Sequence, residues 1–203
     1  MPTHVALSCP PMSQPLSIIH TPRLELIPAS IDLTKRVVEF YQRNEPHLTP
    51  WEPPKPLAFD TEIHQRNRLA QAEQAAKDGT AVRWWLCLRN EPNVLVGSIG
   101  LTAIVRGGFQ NAMLGYAIDE KFQGQGLMQE ALAAAIEYAF STELNLHRIQ
   151  ANVRPENLRS LKLLERLGFE REGYAKDYLF IHDAWHDHVM FALRNENFKG
   201  NLV

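Results

Sequence analysis

Leu114–Leu132 reads L-G-Y-A-I-D-E-K-F-Q-G-Q-G-L-M-Q-E-A-L. Its opening belongs to a strand-like run over Ala112–Asp119. From Met128, the residues Ala131, Leu132, Ala135, Ile136, Ala139 and Phe140 follow at i+3, i+4, i+7, i+8, i+11 and i+12, which is one apolar face of an α-helix. Gly124 and Gly126 stand between strand and helix. Such a turn aims free backbone N–H groups and the positive end of the helix dipole at one point, and glycine lets the backbone come close to an anion held there. By itself a G-x-G pair is more often an ordinary tight turn. Two nucleotide-binding readings are excluded. No Lys-Ser/Thr pair follows the glycines, and Gln129 occupies the place of a third dinucleotide-type glycine.

Working outward, the chain alternates strand and helix patterns. Arg23–Ala29 reads as a strand, and Ser30 can cap a helix running to about Tyr41. Asp60 can cap a second helix ending near Gly79. Val82–Arg89, Val94–Val105 and Ala112–Asp119 read as strands, with turns at Asn90–Asn93 and Arg106–Asn111. After the central helix, Leu146–Val153 is strand-like, and Asn157 can cap a helix that stops at Gly168. Lys176–Ile181 and Asp187–Leu193 read as a closing hairpin turning near His182–Trp185. The order predicts an α/β (α+β) domain with a mixed, twisted sheet of about seven strands and flanking helices.

Proline is confined to the first part of the chain, where 12 of the 13 lie at or before Pro92. Five of these fall in residues 1–20 and the two that follow, so 1–20 read as an irregular lead-in, 21–195 as the folded domain and 196–203 as a tail. Pro46, Pro50, Pro53, Pro54 and Pro56 surround Trp51 and Glu52, which predicts a stiff, non-helical loop. The length of 203 residues suits one core burying roughly 70% of the unfolded surface. A formal net charge of −2 gives no basic footprint for nucleic acid. Two cysteines imply no disulfide framework, and no apolar run approaches the roughly 20 residues of a membrane helix, so a cytoplasmic protein is expected.

The motif Gln123-x-x-Gly126-x-Met128 resembles the pyrophosphate loop, Q/R-x-x-G-x-G/A, of the GNAT acetyltransferases. Met128 departs from the Gly/Ala of that pattern in the manner of the RimJ/RimL branch. Pro50–Pro53 (P-W-E-P), Val105–Phe109 (V-R-G-G-F), Glu165–Leu179 and Trp185–Leu193 are similar to the same branch, so the resemblance runs from about Thr21 to Leu193. It implies a single GNAT domain whose two central strands splay apart around acetyl-CoA. Main-chain groups of Tyr116, Ala117 and Ile118 would hold the pantetheine, and Gln123, Gly124, Gln125, Gly126, Leu127 and Met128 the pyrophosphate. Asn157 would bond the pantetheine near the thioester. It also implies the substrate: the N-terminal alanine of a small-subunit ribosomal protein, on the free chain or on the ribosome or its precursor.

Amide formation on an amine needs a deprotonated nitrogen, a polarised thioester and a proton for the leaving thiolate. Neither Cys9 nor Cys87 has a neighbour that would lower its pKa, so a cysteine nucleophile is not expected. The tyrosine acid usual in this superfamily is replaced by Leu164. Ser160 then stands as the candidate donor, with helix-end bonding as its bland alternative. Glu52 is the candidate to bind or deprotonate the amine, with Trp51 as a groove wall; a solvated carboxylate beside a core tryptophan is the alternative. His186 and His188 share one side of a strand, but no third ligand is legible and no metal is expected, so they read as surface residues of the hairpin. Trp84, Trp85 and Trp185 read as core or groove-wall residues. The rival functions are acetylation of a small amine (an antibiotic or polyamine) and a non-catalytic, ribosome-associated acyl-CoA-binding module.

Overall fold

The computed structural model describes residues 16–199. Most of the expected lead-in, Cys9 with it, and the end of the tail lie outside the described residues. The strands are β1 (Ile19–His20), β2 (Leu24–Pro28), β3 (Val82–Leu88), β4 (Glu91–Val105), β5 (Asn111–Ile118), β6 (Arg148–Val153), β7 (Glu170–Ile181) and β8 (Ala184–Arg194). The helices are α1 (Thr34–Leu48), α2 (Glu62–Lys77), α3 (Leu127–Phe140) and α4 (Leu158–Arg166). One eight-stranded sheet has the order β1-β2-β3-β4-β5-β6-β8-β7. All neighbours are antiparallel except β5 and β6, so the sheet is mixed, as the sequence predicts. The strand beyond the expected seven is β1, only two residues long.

Helices cover both faces. The apolar stripe of α3 buries Leu127, Met128, Ala131, Leu132, Ala135 and Ala139 on one side of the sheet. On the other side, Val37, Phe40, Tyr41 and Leu48 of α1 and Leu69 of α2 pack with Trp85 and Leu95. Successive strand residues face opposite ways, and the adjacent tryptophans of β3 use this. Trp84 meets Tyr138 of α3 edge-on, with ring centres 5.3 Å apart, while Trp85 meets Phe40 of α1 at 5.3 Å. Trp185 is 59% exposed and stacks only on Phe180 across the hairpin.

Local chemistry explains where elements differ from expectation. Ser30 caps a short 3-10 turn, Ile31–Leu33, and α1 then continues past Tyr41 to Leu48, through Pro46. Pro46 sits in the last turn and forfeits one donated bond, while both the N–H and the hydroxyl of Thr49 close the end on the Glu45 carbonyl. The proline-rich segment is therefore helical as far as Trp51, where a 3-10 turn Thr49–Trp51 ends. Thr61, not Asp60, caps α2 by accepting from the His64 amide. The β3–β4 turn shortens to Arg89–Asn90, which makes Glu91–Asn93 strand. β7 starts at Glu170 rather than Lys176. It is an exposed edge strand, so it carries no apolar alternation, and its partner β8 supplies the order.

A buried carboxylate locks α1 to the end of β5. Asp119, 2% exposed, accepts from Arg43 Nε at 2.6 Å, Asn44 Nδ2 at 3.0 Å and the Lys121 amide at 3.0 Å. Asn44 Oδ1 in turn accepts from the Glu120 amide at 3.1 Å, and Arg43 also reaches the Leu95 carbonyl. Burial alone would raise the Asp119 carboxyl, but the Asn44 and Arg43 bonds, the Lys121 amide and the Arg43 charge outweigh it and hold it below the usual carboxylate range. Because the folded pKa is depressed, this stabilisation is present in full above about pH 4 and is lost as the pH falls through the folded value. Asp119→Ala should cost about 2 kcal/mol in urea unfolding at neutral pH, because it strands the buried Asn44 amide and removes the partner of the half-exposed Arg43 guanidinium. The difference from wild type should shrink in acid.

Candidate active site

β5 and β6 pair only through Asn111–Met113 with Arg148–Gln150. Beyond that point β5 stays with β4 as far as Ile118, and β6 stays with β8 as far as Val153. The two strands thus diverge. From Leu114 onward the edge of β5 that faces β6 has no strand partner, and Tyr116, Ala117 and Ile118 lie along it. An open strand edge inside a folded domain is a row of unsatisfied donors and acceptors that an extended amide-bearing ligand can match.

At the end of β5 the chain turns through Gln123–Gly126 into α3. Gly124 and Gly126 have φ of 74° and 75°, the left-handed region where a side chain is strained. Gly126 is the N-cap of α3 and offers no capping side chain, so the first-turn amides of Leu127 and Met128 face outward without a side-chain acceptor. The side chains of Leu127 and Met128 are buried, which explains why a large residue is tolerated at 128: only its amide belongs to the loop surface. Arg23 braces the turn. Its Nη1 donates to the Gln125 carbonyl at 2.9 Å and its Nε to Glu130 Oε2 at 2.6 Å. Glu130 also accepts from the Thr21 hydroxyl at 2.6 Å and the Arg23 amide at 2.8 Å, and these partners hold its carboxyl low against the opposing effect of burial. Gln123 lies 2.8 Å from His47 Nε2 and also accepts from Arg159.

α4 faces the divergence with its N-terminus. Asn157 Oδ1 caps the helix by accepting from the Ser160 amide at 3.1 Å, so its carboxamide N–H groups stay uncommitted. The Ser160 hydroxyl makes no hydrogen bond among the described residues. The Tyr116 hydroxyl donates to the Ser160 carbonyl at 3.5 Å, and burial pushes the Tyr116 phenol up to about 12, so it remains protonated near neutrality.

Next to Tyr116 and Ala117 opens a cavity of about 390 Å³, walled on its other side by Trp51 and Glu52. The cavity joins four of the residues singled out in the sequence. Ser160 is connected to it through Tyr116, and Gln123–Met128 follows the same, C-terminal end of β5. Arg154, just past β6, pins the loop: its Nη1 donates to the Pro50 carbonyl at 2.7 Å, and its guanidinium lies 5.5 Å from the Trp51 ring centre. Trp51 is 37% exposed, a wall and not a core plug. Glu52 carries Lys55 Nζ at 3.3 Å from Oε2, so its carboxylate already has one cationic partner.

Other candidates fall outside the site. His188 is 3% exposed, not a surface residue as expected; burial lowers its pKa, and its Nδ1 sits 3.0 Å from the His186 carbonyl. Among the described residues no three His, Cys, Asp or Glu side chains form a metal-binding group. Cys87 is fully buried and its thiol is pushed up by burial. No helix among the described residues is long and apolar enough to cross a membrane. The braces Arg23, Arg154 and Lys55, and the side chain of Tyr116, escaped the sequence reading. Arg23 and Arg154 act on residues about a hundred positions away, which leaves no local signal.

The family model of the acetyltransferase (GNAT) domain matches residues 23–170. The [ribosomal protein uS5]-alanine N-acetyltransferase of Escherichia coli (strain K12) is 44% identical over 158 residues, covering 78% of this chain and 80% of that protein. The crystal structure of ribosomal-protein-S5-alanine acetyltransferase from Vibrio fischeri superposes with a TM-score of 0.86 at 32% identity, covering 91% of this chain and 100% of the other. Mycobacterium smegmatis RimJ, in complex with CoA-disulfide, superposes with a TM-score of 0.84 at 26% identity, covering 93% and 91%. The family match takes in the diverging strands, the glycine turn and the capped helix together, and the chain belongs to the GNAT family of acetyltransferases.

Proposed function

We propose that the protein is an acetyl-CoA-dependent N-α-acetyltransferase for the N-terminal alanine of small-subunit ribosomal protein uS5. The observation that carries this is the meeting of the Trp51–Glu52 cavity with the open edge of β5 at Tyr116 and Ala117. A donor thioester lying along that edge and an acceptor amine entering the cavity reach the same place. The identity of 44% to a uS5-alanine N-acetyltransferase supports the acceptor. The same reading has the protein act in the cytoplasm, with the free chain, the ribosome or its precursor as partner.

The residues present fit acetyl-CoA. The open main chain of Tyr116, Ala117 and Ile118 suits the amides of a pantetheine arm, and the uncapped amides of Gly124–Met128 suit a pyrophosphate. Gln123 flanks that loop and the free carboxamide N–H of Asn157 can donate to the arm. Bound there, acetyl-CoA supplies a thioester that a neutral amine attacks directly. Glu52 meets the amine and accepts from it, Trp51 forms the wall against its side chain, and Ser160 presents a hydroxyl to the departing sulfur. Proton donation of this kind is worth about 10²–10⁴-fold in rate.

The α-amine suits such a site. With reference pKa values of about 7.7–8.0 for an α-amine and 10.4 for lysine, the α-amine is about 3.4 kcal/mol easier to deprotonate. A site whose only carboxylate is shared with Lys55 matches the more acidic amine.

Gly126→Val forces a β-branched residue into a left-handed turn and should weaken CoA binding at least tenfold, about 1.4 kcal/mol, in calorimetry. Ser160→Ala should lower kcat with little change in the KM for acetyl-CoA, because the hydroxyl acts on the leaving group; a raised KM with kcat intact would make it a cofactor contact only. A peptide with free N-terminal alanine and an internal lysine should be acetylated at the terminus alone. The same peptide blocked at its N-terminus should stay unlabelled by mass spectrometry, and comparable labelling of its lysine would refute the proposal.

A further inference from the structure

The acceptor cavity carries more positive charge than a site for an amine requires. Besides Glu52, the ionisable groups of ordinary basic type that line it are Lys55, Arg68 and Arg83. Lys55 is matched to Glu52 at 3.3 Å, which leaves the two arginines without a carboxylate. Arg68 donates only to the neutral Gln65 Oε1, at 2.9 Å, and its guanidinium lies 4.6 Å from the Phe59 ring centre and 5.5 Å from that of Tyr41. Arg83, mostly buried on β3, makes neither an ion pair nor a side-chain hydrogen bond among the described residues. Gly100 opposite keeps room for it, since a Cβ there would come within 3.2 Å of Arg83 Nη2.

Two half-buried guanidinium groups on one wall, neither in an ion pair, repel each other and attract an anion that would bridge them. Burial is the largest effect on the Arg83 guanidinium and disfavours its charge, as does Arg68, while Tyr41 and the Glu52 carboxylate act the other way without forming an ion pair with it. Both arginines, with Thr102, also line a second cavity of about 250 Å³ beneath α2, so they form a wall common to both spaces. The phosphates of the co-substrate belong by the reading above to Gly124–Met128, a loop that lines neither cavity. The anion therefore comes with the acceptor.

We infer that Arg68 and Arg83 bind a carboxylate of the acceptor chain, so the preferred substrates carry an Asp or Glu close behind the N-terminal residue. This rests on the N-α-acetyltransferase reading and names a determinant of its specificity. A cavity of this volume is about 9 Å across, which an extended chain crosses in about three residues. The fork of an arginine matches a carboxylate with two parallel bonds and gives a neutral amide no equivalent. The same positive wall repels an ammonium and so favours entry of the amine in its neutral, reactive form.

Paired peptides that begin with alanine and differ only as Glu or Gln at one of the next few positions test the inference. With the wild-type enzyme, kcat/KM should be at least about tenfold higher for a Glu peptide at low salt, and the advantage should fall as salt rises. Arg83→Gln and Arg68→Gln should each reduce the Glu/Gln ratio towards one. If Arg83→Gln does not fold, the wild-type ratio, its salt dependence and Arg68→Gln decide the matter. Equal rates on Glu and Gln peptides, with alanine still acetylated, would overturn this inference and leave the acetyltransferase reading standing. Acetylation of neither peptide would overturn both.

Discussion

Everything in this molecule that bears on chemistry depends on the divergence of β5 from β6. A parallel pair that continued past Met113 would close the sheet, bury its backbone bonds and leave no slot. Each strand instead follows its outer neighbour, β5 staying with β4 and β6 with β8. The main chain between them is left open at a place where α4 and the Trp51 loop converge. A backbone row with its bonds unmade is a recognition surface of low sequence demand. Tyr116, Ala117 and Ile118 contribute through groups that every non-proline residue has.

Divergence leaves a wide gap, and a gap must be held. Three polar braces do this, each crossing a long stretch of sequence. Asp119 ties the end of β5 to α1 through Arg43 and Asn44. Glu130 and Arg23 fix the glycine turn against β2. Arg154 holds the loop of Trp51 at the open end of β6. A buried, fully bonded carboxylate such as Asp119 is stiff because any displacement strands several partners together. Pre-organisation of this kind keeps the amides of Gly124–Met128 pointing outward before any ligand arrives.

Charge then divides the slot into two ends. At one end, uncapped amides on α3 attract an anion without needing a cationic side chain. At the other, one carboxylate faces three cations, and the aromatic rings of Tyr41 and Phe59 lie against Lys55 and Arg68. Rings that stack on cations hold them in place while leaving their hydrogen-bonding capacity for a guest. Between the two ends, the Tyr116 phenol stays protonated near neutrality and the Ser160 hydroxyl makes no hydrogen bond among the described residues.

The sequence by itself determined the elements whose cause is local. The apolar period of α3, the glycine turn at 124 and 126, the helix stop at Gly168 and the Asn157 cap are all consequences of neighbours within a turn or two, and each is found where the sequence predicts it. The motifs of the family also marked the glycine turn, Trp51 and Glu52, and Ser160 from residues alone. Helix continuation through Pro46 and the early start of β7 were hidden, since one lost hydrogen bond is outweighed by a closing threonine and an exposed edge strand shows no period. Only the tertiary structure decided where the strands part, which arginines brace the loops, and that Arg68 and Arg83 come together on one wall of the Trp51–Glu52 cavity. Register and charge pairing are set between residues far apart in the chain. Their energies come from contacts that no local pattern of residues encodes.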